Sequence, residues 1–446
     1  FIALANKALD SGYKFIIILS GLTKDLRKQT HDRLDNGFFG FNTEYASIMD
    51  SEHMLPLGKI RQEQKIKRPN TLTNSSLNGD LSTSILRGAI NFQTDDAKLF
   101  CIKKNKTSLQ NIISYILKDP NVSSEIEIDY SNFKFKKLSK IKDQPILIID
   151  DEVDHASVDT GMKALDEEDN PNEEYNPKTI NRLIRMLLNM YDRKSYIGYT
   201  ATPFANVFIH PKAKTKNEGE DLFPKSFIQD LPEPSNYYGI KKLFSEEEND
   251  IEESFLETID DHCIDPGDIK CSEGWMPPRH LKNHEAVFDG EDQHTESLRK
   301  AILNFIISCS IRNFRGHTKQ HKSMLIHVTK YILVNKQVKA QIIKTINQFR
   351  TILLNPGDNE YNLLREEISK EIKEFSHKEN YSFEDLMNFS KGIEDVINEI
   401  GLNIKNLSGD SIDTLDYESY KSKHDKGLQT IIIGGDRLSR GITLEG

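Results

Sequence analysis

Short runs of consecutive apolar residues recur along the chain, separated by stretches of helical periodicity. Phe-Ile-Ile-Ile-Leu at Phe15–Leu19 and Ile-Leu-Ile-Ile within Pro145–Asp150 have no polar alternation. That pattern suits strands buried on both faces of a parallel sheet. Lys98–Ile102, Ser195–Tyr199, Ser323–Val328 and Gln429–Ile433 read as further strands. Apolar residues at helical spacing mark Phe1–Leu9, which Gly12 stops. Thr23 is placed to cap a helix to about Leu34, and Thr107 or Ser108 to cap one to Leu117. Thr179–Tyr191 and the strongly apolar Ser297–Ile311 are helical, and long helices follow Tyr331 to about Ile400. Strands alternating with helices predict an α/β fold of two units, each with a parallel sheet.

The polar stretches divide this pattern. Residues 58–95 are Ser/Asn-rich and read as a loop insertion. Asp166–Asn176 is acidic and reads as a mobile, solvated loop. From 213 to 295 the periodicity weakens, with prolines, the acidic run Glu246–Glu253 and the lone Trp275. The expected organisation is therefore 1–212 as a first domain, 213–295 as a connecting or accessory region, and 296–446 as a second domain with a helical insertion near 331–400. Residue 1 is Phe and the chain stops at Gly446 directly after a turn-rich motif, so it reads as a segment of a longer protein.

Composition narrows the class. A chain of 446 residues allows two to four domains at roughly 100–200 residues each. With 37% hydrophobic and 29% charged residues it is neither collagen, coiled coil nor wholly disordered. No apolar run approaches the roughly 18 residues needed to cross a bilayer, no signal peptide stands at the front, and no membrane partner is expected. Four cysteines are too few for a disulfide scaffold, which points to the cytoplasm. The net charge of −10 excludes a basic coat but leaves room for a local basic groove.

Three motifs carry chemistry. Asp150-Asp151-Glu152-Val153-Asp154-His155 sets carboxylates where a buried strand ends, the place where parallel sheets bind ligands. Such a cluster repels itself and calls for a cation. A magnesium-bound nucleotide supplies one, with an Asp holding the metal and Glu152 orienting the attacking water. The plainer alternative is an acidic strand-to-helix turn. Tyr199-Thr200-Ala201-Thr202-Pro203 ends a second strand in a hydroxyl turn able to bridge neighbouring polar loops, or is an ordinary turn. Gly434-Gly435-Asp436-Arg437-Leu438-Ser439-Arg440-Gly441-Ile442-Thr443 ends a third. There Asp436 and Thr443 can bond ribose or backbone, Arg440 can neutralise phosphate, and the glycines permit close approach; a surface turn is the alternative.

Other candidates are weaker. Lys103, Lys104 and Asn105, at a strand end before a helix, can hold a nucleic-acid phosphate or form a solvated loop. His262, Cys263, Cys271, His280 and His284 lack the tight Cys pairs of a zinc site and read as scattered polar residues. Cys101 and Cys309 read as buried and inert, and His327 as a satisfied core histidine. A nuclease of the PD-(D/E)xK type needs a lysine close behind its acid pair, and neither Asp150–Asp154 nor Glu125–Asp129 has one.

Taken in order, these stretches resemble the superfamily 2 helicase core. Phe15–Thr30 is similar to motif Ia, Asp151-Glu152-Val153-Asp154 to the DEAD-type motif, and Thr200-Ala201-Thr202 to motif III. Met324–Thr329 is similar to motif IV and Asp436…Arg440-Gly441 to motif V. More narrowly, Ile149–Ser157, Gly198–Asn206 and Leu438–Gly446 resemble the Z1 domain family, bacterial proteins described as candidate endonucleases and met near restriction and phage-defence systems.

The resemblance implies two RecA-like domains around a cleft and ATP-driven remodelling of, or translocation on, double-stranded DNA. ATP and Mg2+ would be the cofactors, and nuclease, methylase or other defence subunits the partners. It implies Asp151 at the metal and Glu152 and Arg440 in catalysis. It implies Asp154, His155, Asp436, Gly441 and Thr443 at the nucleotide and Thr200 and Thr202 in coupling. Ser20, Gly21, Thr23 and Gln29 would contact nucleic acid, with Lys103, Lys104 and Asn105. Two parts of the pattern are missing. No Gly-x-x-x-x-Gly-Lys-Ser/Thr loop is present, so it is expected upstream, and the arginine-rich motif VI is expected beyond Gly446. By itself the segment is expected to hydrolyse little ATP. The rival readings are a metal-dependent endonuclease built on Asp150–Asp154 and a scaffold that binds DNA or partner proteins.

Overall fold

The computed structural model describes residues 1–21, 23–45, 53–66, 69–88, 97–159, 177–215, 217–239, 256–375, 381–390, 392–407, 415–435 and 444–446. The chain divides into two units, Phe1–Pro232 and Glu233–Gly446.

The first unit begins with α1 (Ile2–Asp10), β1 (Phe15–Leu19) and α2 (Lys24–Leu34). The Thr23 hydroxyl accepts the Leu26 N–H at 3.3 Å and so starts α2. There follow α3 (Pro56–Glu63), α4 (Thr83–Gly88), β2 (Lys98–Ile102), α5 (Lys106–Ile116) and α6 (Pro120–Ser123). The cap of α5 is Asn105 rather than Thr107 or Ser108, because its Oδ1 reaches the Ser108 N–H at 2.8 Å. A hairpin of β3 (Ile126–Asp129) and β4 (Lys134–Leu138) precedes β5 (Ile146–Asp151), α7 (Thr179–Asn189) and β6 (Lys194–Tyr199). The unit closes with α8 (Phe204–Val207) and the short pair β7 (Lys214–Thr215) and β8 (Gly219–Glu220).

The main sheet runs β2-β1-β5-β6, all parallel. Its unbroken apolar strands are explained by two separate cores. Phe15, Ile17 and Leu19 pack with Leu109 and Ile112 of α5 and Leu183 and Leu187 of α7. Ile16 and Ile18 point the other way, to Ala5 and Ala8 of α1 and to Leu34, Phe38 and Phe39. The chain passes from β1 outward to β2, then returns to lay β5 on the other side of β1. The β1/β5 boundary is therefore the topological switch point, where ligands collect outside the strand carboxyl ends.

The Ser/Asn-rich stretch expected as a loop insertion carries α3 and α4, and Arg61, Thr73 and Ser75 within it are buried. His31 Nε2 lies 3.1 Å from Thr73 Oγ1 and His31 Nδ1 lies 3.2 Å from Asp35 Oδ1. Thr43 Oγ1 donates to Asp35 Oδ1 at 2.9 Å, and Arg27 donates to the carbonyls of Asn74 and Ser76. Polar composition here builds an internally satisfied network, which hydropathy alone reads as surface.

The second unit has α9 (Glu296–Phe314), β9 (Lys322–Ile326), α10 (Ile332–Leu353), α11 (Asn359–Phe375), α12 (Phe383–Asn388), α13 (Ile393–Leu402), β10 (Ile404–Asn406), α14 (Tyr417–His424) and β11 (Gln429–Ile433). Its parallel sheet runs β10-β11-β9. The helices of the insertion expected near 331–400 help build the core of this unit. Val334, Val338, Ile342 and Ile346 of α10 and Val396, Ile397 and Ile400 of α13 share one cluster with Ile431 and Ile433 of β11. The irregular chain before α9 belongs to the same core through Trp275, Met276 and Ala286, and the Trp275 N–H donates to Gln341 Oε1 at 3.0 Å. Cys101 and Cys309 are buried. His327 is exposed rather than in the core, with Nδ1 2.9 Å from the Gly434 carbonyl oxygen.

Candidate functional site

The acidic motif occupies the end of β5, at the switch point of the first sheet. Asp150 is fully buried, which a carboxylate tolerates only when it is paired. Its partner is Lys104, also fully buried, with Nζ 2.6 Å from Asp150 Oδ1. Lys104 leaves the end of β2 and spans the end of β1 to reach β5. Its own N–H is fixed by the Gly21 carbonyl at 2.7 Å. The ammonium also donates to the carbonyl oxygens of Asp151 (2.7 Å), Glu152 (2.7 Å) and His155 (3.2 Å). One side chain thus neutralises the buried acid and holds the turn that follows it.

That turn needs holding. Glu152 and Ala156 both sit at positive φ, +55° and +66°, a region non-glycine residues rarely occupy. The second oxygen of Asp150 accepts from Ser157 Oγ and Tyr196 OH, each at 2.6 Å. Burial, then the adjacent Asp150, push the Tyr196 hydroxyl far above its usual value, so it stays protonated and remains a donor. On β6, Gly198 makes room for the turn. A Cβ there would lie 2.8 Å from Val153 Cγ1, while the Val153 N–H donates to the Tyr199 carbonyl at 3.0 Å.

The hydroxyl turn after β6 meets the acidic turn directly. Thr200 Oγ1 donates to Asp154 Oδ1 at 2.7 Å and Thr202 Oγ1 to Asp154 Oδ2 at 2.9 Å. The Thr202 N–H closes the turn on Thr200 Oγ1 at 2.9 Å. Partial burial pushes the Asp154 carboxyl up, but the two threonine hydroxyls outweigh it and hold the group below the usual carboxylate range. Asp151 behaves oppositely. Burial raises it, and the pull of Lys104 and of the Glu152 N–H does not fully compensate.

The four acids therefore do not share one task. Asp150 faces Lys104, Ser157 and Tyr196, whereas Asp154 faces Thr200 and Thr202. Among the described residues no three His, Cys, Asp or Glu side chains converge to hold a metal ion. Asp150 is turned onto Lys104 and Asp154 onto the two threonines, so these acids do not point at one common centre. A magnesium ion carried by a nucleotide needs only one or two carboxylates, its remaining positions being taken by water and phosphate oxygens. Half-buried Asp151 fits that smaller demand.

The remaining expected residues are placed as follows. His155 is half-buried, its N–H donating to the Glu152 carbonyl at 2.9 Å. Ser20 is buried, its hydroxyl donating to the Ile102 carbonyl at 3.1 Å. Gly21 takes a φ of +79° next to Lys104, Thr23 caps α2, and Gln29 is half-buried on α2. Lys103 Nζ lies 3.6 Å from Asp80, and Asn105 is committed to its helix cap. Lys104, expected at a phosphate, is turned inward on Asp150 instead, because a buried carboxylate outcompetes solvent for it. Asp436, Arg440, Gly441 and Thr443 lie outside the described residues.

Lys104 as an internal counter-ion, Ser157 and Tyr196 are what sequence reasoning missed. A signal existed for Tyr196: Ile148 pairs with Tyr196 and Asp150 with Gly198, so strand alternation puts Tyr196 on the Asp150 face. The Cys/His set does not come together as one cluster. His280 Nε2 lies 2.7 Å from Thr329 Oγ1 and His284 Nε2 lies 3.0 Å from the Trp275 carbonyl oxygen.

Residues 297–446, about a third of the chain and wholly within the second unit, match the family model described as Z1 domain. The match includes the Leu438–Gly446 stretch, whereas Ile149–Ser157 and Gly198–Asn206 lie outside it. No curated protein and no solved structure matches the chain. Among the described residues no helix is long and apolar enough to cross a membrane.

Proposed function

We propose that the first unit carries the metal-and-water side of a nucleotide-hydrolysing site. The protein would belong to a helicase-like, RecA-like engine that remodels or moves along DNA beside restriction or defence subunits. One observation carries the reading: at the switch point of a parallel sheet, Asp154 is gripped by Thr200 and Thr202 while the neighbouring Asp151 stays half-buried at the strand end. In this scheme Asp151 would hold the water shell of the magnesium of a bound ATP, and the ion would supply charge neutralisation at the phosphates. Glu152 orients the attacking water. The threonines tie the acidic turn to β6, so a change at one strand end is felt at the other.

The experiment uses the full-length protein and measures Mg2+-dependent ATP hydrolysis with and without duplex DNA. Glu152→Gln should leave nucleotide binding intact and lower turnover by on the order of 10²-fold or more, the scale of losing a general base. Unchanged turnover removes Glu152 from the scheme. DNA cleavage without ATP would favour the endonuclease instead. Binding of DNA with neither activity would favour a scaffold.

A further inference from the structure

The two cysteines of the irregular chain before α9 are neighbours in space. Cys263 is buried and Cys271 is partly exposed. The Cys271 thiol donates to the Glu273 carbonyl at 3.4 Å, the same oxygen that accepts the Ile264 N–H, which sets it beside the Cys263–Ile264 backbone. The surrounding backbone brings them together. The Ile264 N–H donates to the Glu273 carbonyl at 3.2 Å and the Met276 N–H to the His262 carbonyl at 2.7 Å. Gly274, at φ +113°, lets these strands close, since a Cβ there would lie 2.5 Å from Cys263 Cα. Residues 264–270, which link the cysteines, are exposed, so they can shift while the sulfurs approach.

We propose that Cys263 and Cys271 are a redox pair that closes to an intrachain disulfide, with Cys271 as attacking thiol and Cys263 as resolving thiol. The asymmetry of their surroundings sets the roles. Backbone N–H groups of Asp265 and Glu273 hold the Cys271 thiol below its usual range, favouring the thiolate that attacks. Burial, then the neighbouring Cys271 thiol, raise Cys263. A low-molecular-weight disulfide such as oxidised glutathione is the oxidant. Cys271 thiolate attacks one of its sulfurs, a protein–glutathione mixed disulfide forms, and one glutathione thiolate leaves. Cys263 then gives its proton to solvent and attacks Cys271 Sγ, which expels the second glutathione thiolate. Two protein thiols are oxidised by two electrons and one disulfide is reduced to two thiols. The other two cysteines serve as internal controls, because burial pushes both Cys101 and Cys309 up to about 12.

Closure would tether chain that packs into the core of the second unit, beside the buried Trp275, the protein's one tryptophan. The experiment incubates the full chain in graded ratios of oxidised to reduced glutathione. Thiols are then trapped by alkylation, read by intact mass and peptide mapping, and Trp275 emission is followed. The expected result is loss of two of the four thiols together, a linked 263–271 peptide, a change in Trp275 emission, and reversal by dithiothreitol. Cys263→Ser should accumulate a glutathione adduct on Cys271, and Cys271→Ser should form neither link nor adduct over the same time. Reduced Trp275 emission matching the wild type shows that each variant folds. Four thiols remaining under strongly oxidising ratios, an unresolved adduct in the wild type, or a metal ion released stoichiometrically when the pair is alkylated would each overturn the proposal.

Discussion

Replacing Lys104 by Met tests whether one buried ammonium organises the acidic turn. Methionine keeps an unbranched stem of similar length, so the packing around the side chain is largely retained and the charge is what disappears. Asp150 would then be buried with only Ser157 and Tyr196 as donors, and the carbonyls of Asp151, Glu152 and His155 would lose their shared partner. Breaking a buried pair from one side costs about 3–5 kcal/mol.

Because the chain has two units, one unfolding midpoint does not isolate the effect. The buried Trp275 belongs to the second unit and reports on that unit alone. Amide hydrogen exchange resolves the first unit directly. Protection of β1 and β5 should fall by roughly 10²- to 10³-fold, at about 1.4 kcal/mol per decade, while β11 keeps its protection. The double variant Lys104→Met, Asp150→Leu should recover most of the loss, since no uncompensated charge remains. If Lys104→Met alone exchanges like the wild type, the ammonium does not support the turn and its four oxygen contacts have no energetic weight.

Two further outcomes follow from the same coordinates. Because partial burial is outweighed by the Thr200 and Thr202 hydroxyls at Asp154, the Thr200→Val, Thr202→Val variant should titrate Asp154 at higher pH. In the wild type the group adds stability above its unfolded pKa that is lost as pH falls through the lower folded value. Carboxyl NMR of a variant that titrated unchanged would refute this. Burial also lowers the His294 imidazole, whose Nε2 lies 2.7 Å from Thr345 Oγ1, so the unfolded chain takes up its proton first. Trp275-detected unfolding of the second unit should then be easiest toward pH 5 and level off above about 6.5, the imidazole's ordinary value, with His294→Gln flattening the slope. An equal slope in that variant contradicts the assignment.

The strands were legible because burial on both faces leaves a plain mark: β1 occupies the span its unbroken apolar run predicts, and β2 and β11 match the spans Lys98–Ile102 and Gln429–Ile433 read from their mostly apolar stretches. Helix starts were legible where a hydroxyl caps, as at Thr23, and slipped at α5, where Asn105, two residues before Thr107, accepts the Ser108 N–H and starts the helix earlier. Polar segments were read least well. The stretch containing Thr71, Thr73 and Ser75 has the composition of a surface loop, yet it closes a hydrogen-bond network on His31 and Asp35. Chain before α9 has no periodicity at all, yet buries Trp275. In both cases long-range partners decide burial, and local pattern carries no trace of them.

The acidic turn gives the sharpest case of that limit. Consecutive carboxylates at a strand end repel, and the nearest remedy in sequence terms is an external cation. Part of the remedy is internal. Lys104, 46 positions away from Asp150 in the chain, cancels one charge, and two threonine hydroxyls stabilise a second at Asp154. Two of the four charges are thus answered from within the protein, so their repulsion no longer calls for a four-carboxylate cage around an ion. The proposed scheme asks less of this strand end, because a magnesium ion that arrived with phosphate attached would need only one or two carboxylates from the protein.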